Sequence, residues 1–245
     1  YNLDVATAKA NGATELRPIV WDTGFANVER AVSSPIIPAS LTANSFSKTT
    51  YRFATSYDWN EDIMVYFGYS EGFNSGGIAT YEDSQGRVVS TFDPESIENM
   101  VVGLRGDFLD NRLRVNATYF NTDWIDIQLA ASVIDRGTGL PITEIVTQNA
   151  AGGDANGLEF EITYAATDRL TLNANLGWLD TKYKGIKAGA QVTPDTEFAG
   201  APDESYSLSA AYDWSVFGGS LTTRLQANYT GLFWRSQVPS YREDA

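Results

Sequence analysis

From about Phe46 to Tyr229 one pattern recurs: apolar and polar residues alternate with period two, segment after segment. That period belongs to a β-strand with one apolar and one polar face. Tyr51, Phe53, Thr55 and Tyr57 share one side; Ile63, Val65, Phe67 and Tyr69 follow, then Met100, Val102 and Leu104. Leu113, Val115, Ala117 and Tyr119 continue it, as do Leu158, Phe160, Ile162 and Tyr164. Leu170, Leu172, Ala174, Leu176 and Trp178 come next, then Leu208, Ala210, Tyr212 and Trp214, and Leu221, Leu225, Ala227 and Tyr229. We count about eight strands, which a chain of this kind accommodates in a sandwich or a barrel.

The links between strands discriminate. Residues 58–61, 109–111, 166–168 and 215–218 read as tight turns, whereas 71–96, about 132–142 and 182–203 read as long irregular loops rich in Gly, Pro, Asp and Thr. Short and long links alternate, as they do when one end of every hairpin faces the periplasm and the other the exterior. The stretches 112–129 and 143–165 are longer than the usual globular strand, and their excess should project above a membrane. Opposite the apolar side lie Arg105, Arg114, Glu159, Glu161, Asn173, Asn175, Arg224 and Gln226, large hydrogen-bonding groups suited to a hydrated lumen. Tyr57, Tyr69, Tyr119, Tyr164, Trp178 and Trp214 sit where the apolar faces begin or end, as aromatic girdles do.

Composition narrows the function. With 31 acidic against 17 basic residues the formal charge is −14, which repels a phosphate backbone and argues against nucleic acid. There is no Cys and no His, so thiolate or imidazole metal sites and Ser-His-Asp or Cys-His catalysis are not available to these residues. No apolar run is long enough for a transmembrane helix. Gly68-Tyr69-Ser70-Glu71-Gly72 fits a nucleophile-elbow pattern, but it has no His base to work with and reads as a strand entering a loop. Asp154-Ala155-Asn156-Gly157 lacks the glycine position and closing glutamate of a calcium loop. We expect no enzyme activity, no cofactor and no metal.

Several ordered blocks carry a resemblance. Phe67-Gly68-Tyr69-Ser70-Glu71-Gly72-Phe73-Asn74-Ser75-Gly76-Gly77 is followed by Pro94-Glu95-Ser96-Ile97-Glu98-Asn99, Val102-Gly103-Leu104-Arg105 and Asp110-Asn111-Arg112-Leu113. Trp124-Ile125-Asp126-Ile127-Gln128, Asn149-Ala150 with Gly157-Leu158-Glu159-Phe160-Glu161, and Gly200-Ala201-Pro202 complete the series, with Gly152 and Gly153 near an expected bulge. Over roughly 46–232 the chain resembles the barrel of a TonB-dependent outer-membrane receptor. Met100-Val101 departs from the family's usual aromatic and acid at that strand.

The resemblance implies an antiparallel transmembrane β-barrel of 22 strands, of which this chain holds about eight, in the outer membrane of a Gram-negative bacterium. It implies a plug domain inside the barrel, contact with TonB through that plug, and active uptake of a scarce small molecule such as a ferric siderophore, cobalamin or a glycan. A passive porin or structural barrel is the alternative, and a soluble all-β binding domain a third reading. Tyr1 is not an initiator, and we expect a piece of something longer: residues 1–45 as an upstream extracellular loop or irregular barrel segment, 46–245 as barrel.

Candidate ligand contacts are the loop aromatics Phe73, Tyr81 and Phe92 with Trp124, and the lumen residues Arg105, Arg114, Glu159, Glu161 and Arg224. Of the arginines we favour hydrogen bonding to the plug over attraction of an anionic ligand. Glu159 and Glu161 lie two apart on one face and more simply line a wet wall than form a glycosidase pair.

Overall fold

The computed structural model describes residues 45–236 and a short strand at 242–243; the expectation for the first 45 residues falls, apart from Ser45, outside them. Eight strands form one antiparallel sheet: β1 (Arg52–Asp58), β2 (Ile63–Asn74), β5 (Glu95–Phe108), β6 (Leu113–Ile134), β7 (Pro141–Ala165), β8 (Leu170–Lys184), β9 (Glu204–Val216) and β10 (Gly219–Thr230). They pair in chain order except that β3 (Gly77–Asp83) and β4 (Gly86–Phe92) form a separate hairpin between β2 and β5. A last small pair joins β11 (Phe233–Trp234) to β12 (Arg242–Glu243).

Register keeps the apolar sides together. One row runs Tyr57, Val65, Leu104, Ala117, Phe160, Leu176, Tyr206 and Tyr229 across all eight strands. Its first member lies one residue from a tight turn and its last at the far end of β10, because the rows climb relative to strands that are staggered and tilted. The neighbouring row, Met64, Arg105, Asn116, Glu161, Asn175, Ser207 and Asn228, lies on the other side of the sheet. No second sheet covers the apolar side: Leu225 is 78% and Leu208 51% exposed. A sandwich would bury those residues, so the sandwich is excluded. Among the described residues no strand pairs with the outer edges of β1 and β10, and the sheet is an open arc of barrel wall.

The short links hold. The turns at 59–62, 109–112, 166–169 and 217–218 close one end of the sheet. Leu109, Asp110 and Asn111 are all left-handed, and Arg112 extends across to the next turn, its Nε donating to the Ala165 carbonyl at 2.9 Å and Nη2 to Ala166 at 2.8 Å.

Two expected loops need correction. The segment 71–96 is not irregular: β2 runs on to Asn74 and the β3–β4 hairpin fills the middle, turning at Ser84-Gln85 before the left-handed Gly86. The segment 132–142 is not a long irregular loop: β6 and β7 extend as a ribbon 22 and 25 residues long and turn only at 135–140. The third, after Lys184, is a true loop over 185–203.

Candidate functional site

The polar side of the sheet forms a built wall. Arg105 Nε donates to Asn116 Oδ1 at 3.2 Å, and Asn116 Nδ2 donates to Glu161 Oε2 at 2.9 Å, so the three form one chain across β5, β6 and β7. With Tyr66, Thr118 and Glu159 they line a recess of about 220 Å³. Tyr66 lies flat over Gly103, where a Cβ would fall 2.3 Å from its ring, and its hydroxyl reaches Thr118 Oγ1 at 2.7 Å. Phe120 covers Gly157 in the same way. Glycine beneath an aromatic keeps the inner surface low while still burying the ring.

Above this wall β6 slips. Asp126 is left-handed at φ 53°, and the β6–β7 register shifts between Trp124 and Ile127 and again before Gln128. Ile127, Leu129, Ala131 and Val133, which by simple alternation would face outward with Val115 and Tyr119, are turned to the inner side and buried. There the 185–203 loop folds over them. Phe198 packs edge-on to Trp124 at 5.8 Å and against Tyr183 at 4.8 Å, over Gly153, where a Cβ would come 2.4 Å from its ring. Main-chain bonds pin the loop: Ser132 N to the Gly189 carbonyl and Lys187 N to the Ala150 carbonyl, both 2.8 Å. Among the described residues the buried core is thus at this end of the sheet, under the 185–203 loop, and not along the eight-stranded wall below it.

The extracellular hairpins also lock to each other. Asp135 accepts Ser84 Oγ at 2.6 Å and Ser84 N at 2.7 Å, while also holding Gly137 N and Thr138 N of its own turn. Arg136 forks onto Asp83, Nε at 2.6 Å and Nη2 at 3.0 Å. The Arg136 fork holds the fully covered Asp83 down at about 2, against an ordinary 3.8. The Ser84 hydroxyl first, then the amides of Ser84, Thr138 and Gly137, hold Asp135 far below the usual carboxylate range. Both carboxyls are depressed, so their contribution is full above pH about 4 and disappears as pH falls through the folded values. Limited proteolysis should find the β3–β4 hairpin equally protected from pH 5 to 8 and opening only in strong acid. Asp135→Ala should open it at every pH.

At the base of the same hairpin, Gln128 N donates to Glu95 Oε2 at 2.7 Å and Asn149 Nδ2 to the Asp93 and Asp126 carbonyls, both 2.8 Å. Gly76 leaves room there for the Phe92 carbonyl, 2.2 Å from where a Cβ would stand.

Each candidate residue can now be placed. Arg105, Glu159 and Glu161 come together in the recess. Arg114 does not join them; it forks onto Asp107 at 2.7 and 3.1 Å. Arg224 is exposed on β10, away from the recess. Phe73, Tyr81, Phe92 and Trp124 lie in strands β2, β3, β4 and β6, not in loops. Phe92 is committed to covering Gly77 and Trp124 to the Phe198 cluster, while Phe73 is 40% exposed and Tyr81 is half-buried on the locked hairpin. What the sequence reading missed is the inward-folding loop with Phe198, Tyr183 and Gly189; the Gly152-Gly153 pair was a signal for it.

The side facing away from the recess changes character within one step. Tyr119, Leu158 and Trp178 form one row, and Asn121, Asn156 and Asp180 the next. Beyond them Lys184 Nζ bridges Asp123 at 2.8 Å and Asp154 at 2.6 Å, which raises its pKa. An aromatic belt giving way to charge marks a membrane boundary.

Known proteins share this architecture. The siderophore receptor PiuA of Acinetobacter baumannii is 21% identical over 244 residues, covering 92% of this chain and 31% of its own length. Among solved structures, the ferric yersiniabactin uptake receptor FyuA of Yersinia pestis matches with a TM-score of 0.60 at 18% identity, over 78% of this chain and 27% of that one. The ferric preacinetobactin receptor BauA of A. baumannii matches at 0.55 and 20% identity, over 75% and 26%. The chain therefore spans under a third of these relatives. The model of the TonB-dependent receptor-like β-barrel matches residues 21–244. With that match covering most of the chain, and an outward apolar face, an inward polar wall, tight turns at one rim and interlocked hairpins at the other consistent with it, this chain belongs to the TonB-dependent receptor family, as part of its outer-membrane β-barrel.

Proposed function

We propose that the chain is the wall and part of the extracellular mouth of a receptor that imports a ferric siderophore, driven through TonB acting on a plug domain. The match to the receptor barrel over residues 21–244 carries this reading, and the relatives' siderophore names point to the cargo over cobalamin or a glycan. In it the Arg105–Asn116–Glu161 chain and Glu159 offer the plug fixed donors and acceptors. The Tyr81 hairpin faces arriving ligand and Arg224 adds positive charge to the inner wall, whereas Phe73 stands on the outward side in a row with Ser96 and Ile125, and the charge of Arg114 is met by Asp107. No covalent chemistry is involved.

Deleting the full-length receptor should abolish uptake of a labelled ferric siderophore and impair growth under iron limitation. Glu161→Gln with Arg105→Ala should cut uptake about tenfold, the equivalent of one charged hydrogen bond at the plug, while surface levels stay normal. Growth loss on a carbon source or on cobalamin with iron uptake intact would overturn the siderophore reading. Flux that persists without TonB would instead favour a passive channel.

A further inference from the structure

The apolar side carries a groove that the transport reading leaves unexplained. It is about 720 Å³, within the roughly 300–1,000 Å³ range of ligand pockets. Its shape follows from register. Ala210 sits between Leu172 and Leu225 in one cross-strand row, and Ala174 between Ile162 and Leu208 in the next, beside Ala227. Small residues between large ones leave a trough facing lipid.

The groove ends at the rim of tight turns. Leu109, one of its lining residues, is held left-handed at φ 55°, where Gly or Asn would sit at less cost. Such an outlier on an exposed apolar residue points to a use for the side chain. The two charged turns at the groove's end of that rim, 109–112 and 166–169, carry two charges of each sign, Arg112 and Arg169 with Asp110 and Asp168. Arg112 is anchored on the carbonyls of Ala165 and Ala166, in the same turn as Asp168 and Arg169.

We propose that this groove holds one zwitterionic glycerophospholipid of the periplasmic leaflet. An acyl chain lies in the alanine trough, the phosphate meets the guanidinium groups of Arg112 and Arg169, and a headgroup ammonium meets Asp110 or Asp168. Balanced charge in these two turns, in a chain of net −14, selects a zwitterionic over an anionic headgroup. Lipid tails are as apolar as leucine, so the specificity comes from close packing and the headgroup contacts rather than from hydrophobic transfer.

The test uses the full-length receptor extracted from its outer membrane in mild detergent, with bound lipid counted by native mass spectrometry and headgroups identified. Ala174→Leu with Ala210→Leu fills the groove with side chains that point into lipid and leave the sheet intact. Arg169→Gln removes a phosphate contact and spares the Arg112 clamp. Wild type should retain one aminophospholipid per barrel, and each variant about tenfold less, as for loss of a charged contact. Heat-dependent gel migration confirms that both variants fold. Retention unchanged in the filled variant, anionic lipid held as strongly as zwitterionic, or an altered oligomeric state in place of lipid loss would each overturn the assignment. Siderophore uptake is not the readout, so failure of the transport reading leaves this result standing.

Discussion

Replacing Gly189 with valine is expected to release the 185–203 loop from the mouth of the barrel. Gly189 has φ +89°, and an added Cβ would stand 2.4 Å from the Ser132 carbonyl oxygen. That neighbour is backbone of β6 and cannot swing aside. A β-branched residue there meets both left-handed strain and a backbone overlap, a local cost of about 3 kcal/mol or more. The bond from Ser132 N to Gly189 O and the Ala131–Ala190 bridge would be lost with it. Phe198 would then leave Trp124 and Tyr183, and the buried cluster above the wall would open. The expected result is rapid proteolytic cleavage and fast amide exchange within 185–203, with barrel migration on gels unchanged. A loop that stays protected would show that the Phe198 cluster, not Gly189, fixes it. Phe198→Ala is the companion variant and should loosen the loop without perturbing β6.

Leu208→Arg is expected to destabilise the barrel in a bilayer by about 2–4 kcal/mol, while Ser209→Arg, one residue away, should change it by under about 1 kcal/mol. Leu208 lies in the middle of the lipid-facing span of β9, between Ala174 and Ala227, and is 51% exposed. A guanidinium there faces hydrocarbon with no partner. Ser209 projects to the opposite side beside Asn173, which donates to it at 3.4 Å, where water and polar groups receive a charge. Denaturant titration of the refolded full-length receptor in lipid vesicles measures both. Equal effects at the two positions would mean that the faces are assigned wrongly.

The two experiments probe different layers of what the residues encode. Alternation at Leu113–Tyr119, Leu158–Tyr164 and Leu170–Trp178 sets strand identity and faces, because each strand must present one side to lipid and one to water. The polar row through Arg105, Asn116 and Glu161 was legible for the same reason, and so were the tight turns at Asp110-Asn111 and 166–168. The β3–β4 hairpin was not: its strands are seven residues each, interrupted by Gly, Asp and Ser, and they are held less by their own pattern than by Asp135 and Arg136 far along the chain. Arg114 could be placed on the inner side, but nothing local foretold that Asp107 would take it.

By itself, then, the sequence determined strands with one apolar and one polar face each, because period-two patterning is a local property that each strand carries alone; that the apolar face looks outward was decided by the sheet, which leaves Leu208 and Leu225 uncovered. Tertiary structure decided the mouth. One extra residue at Asp126 turns Ile127, Leu129, Ala131 and Val133 from the outer to the inner side, and only the return of a loop about sixty residues later gives those side chains something to bury against. A slip of one residue reverses every face beyond it, and whether it occurs depends on contacts that no window of alternating residues contains.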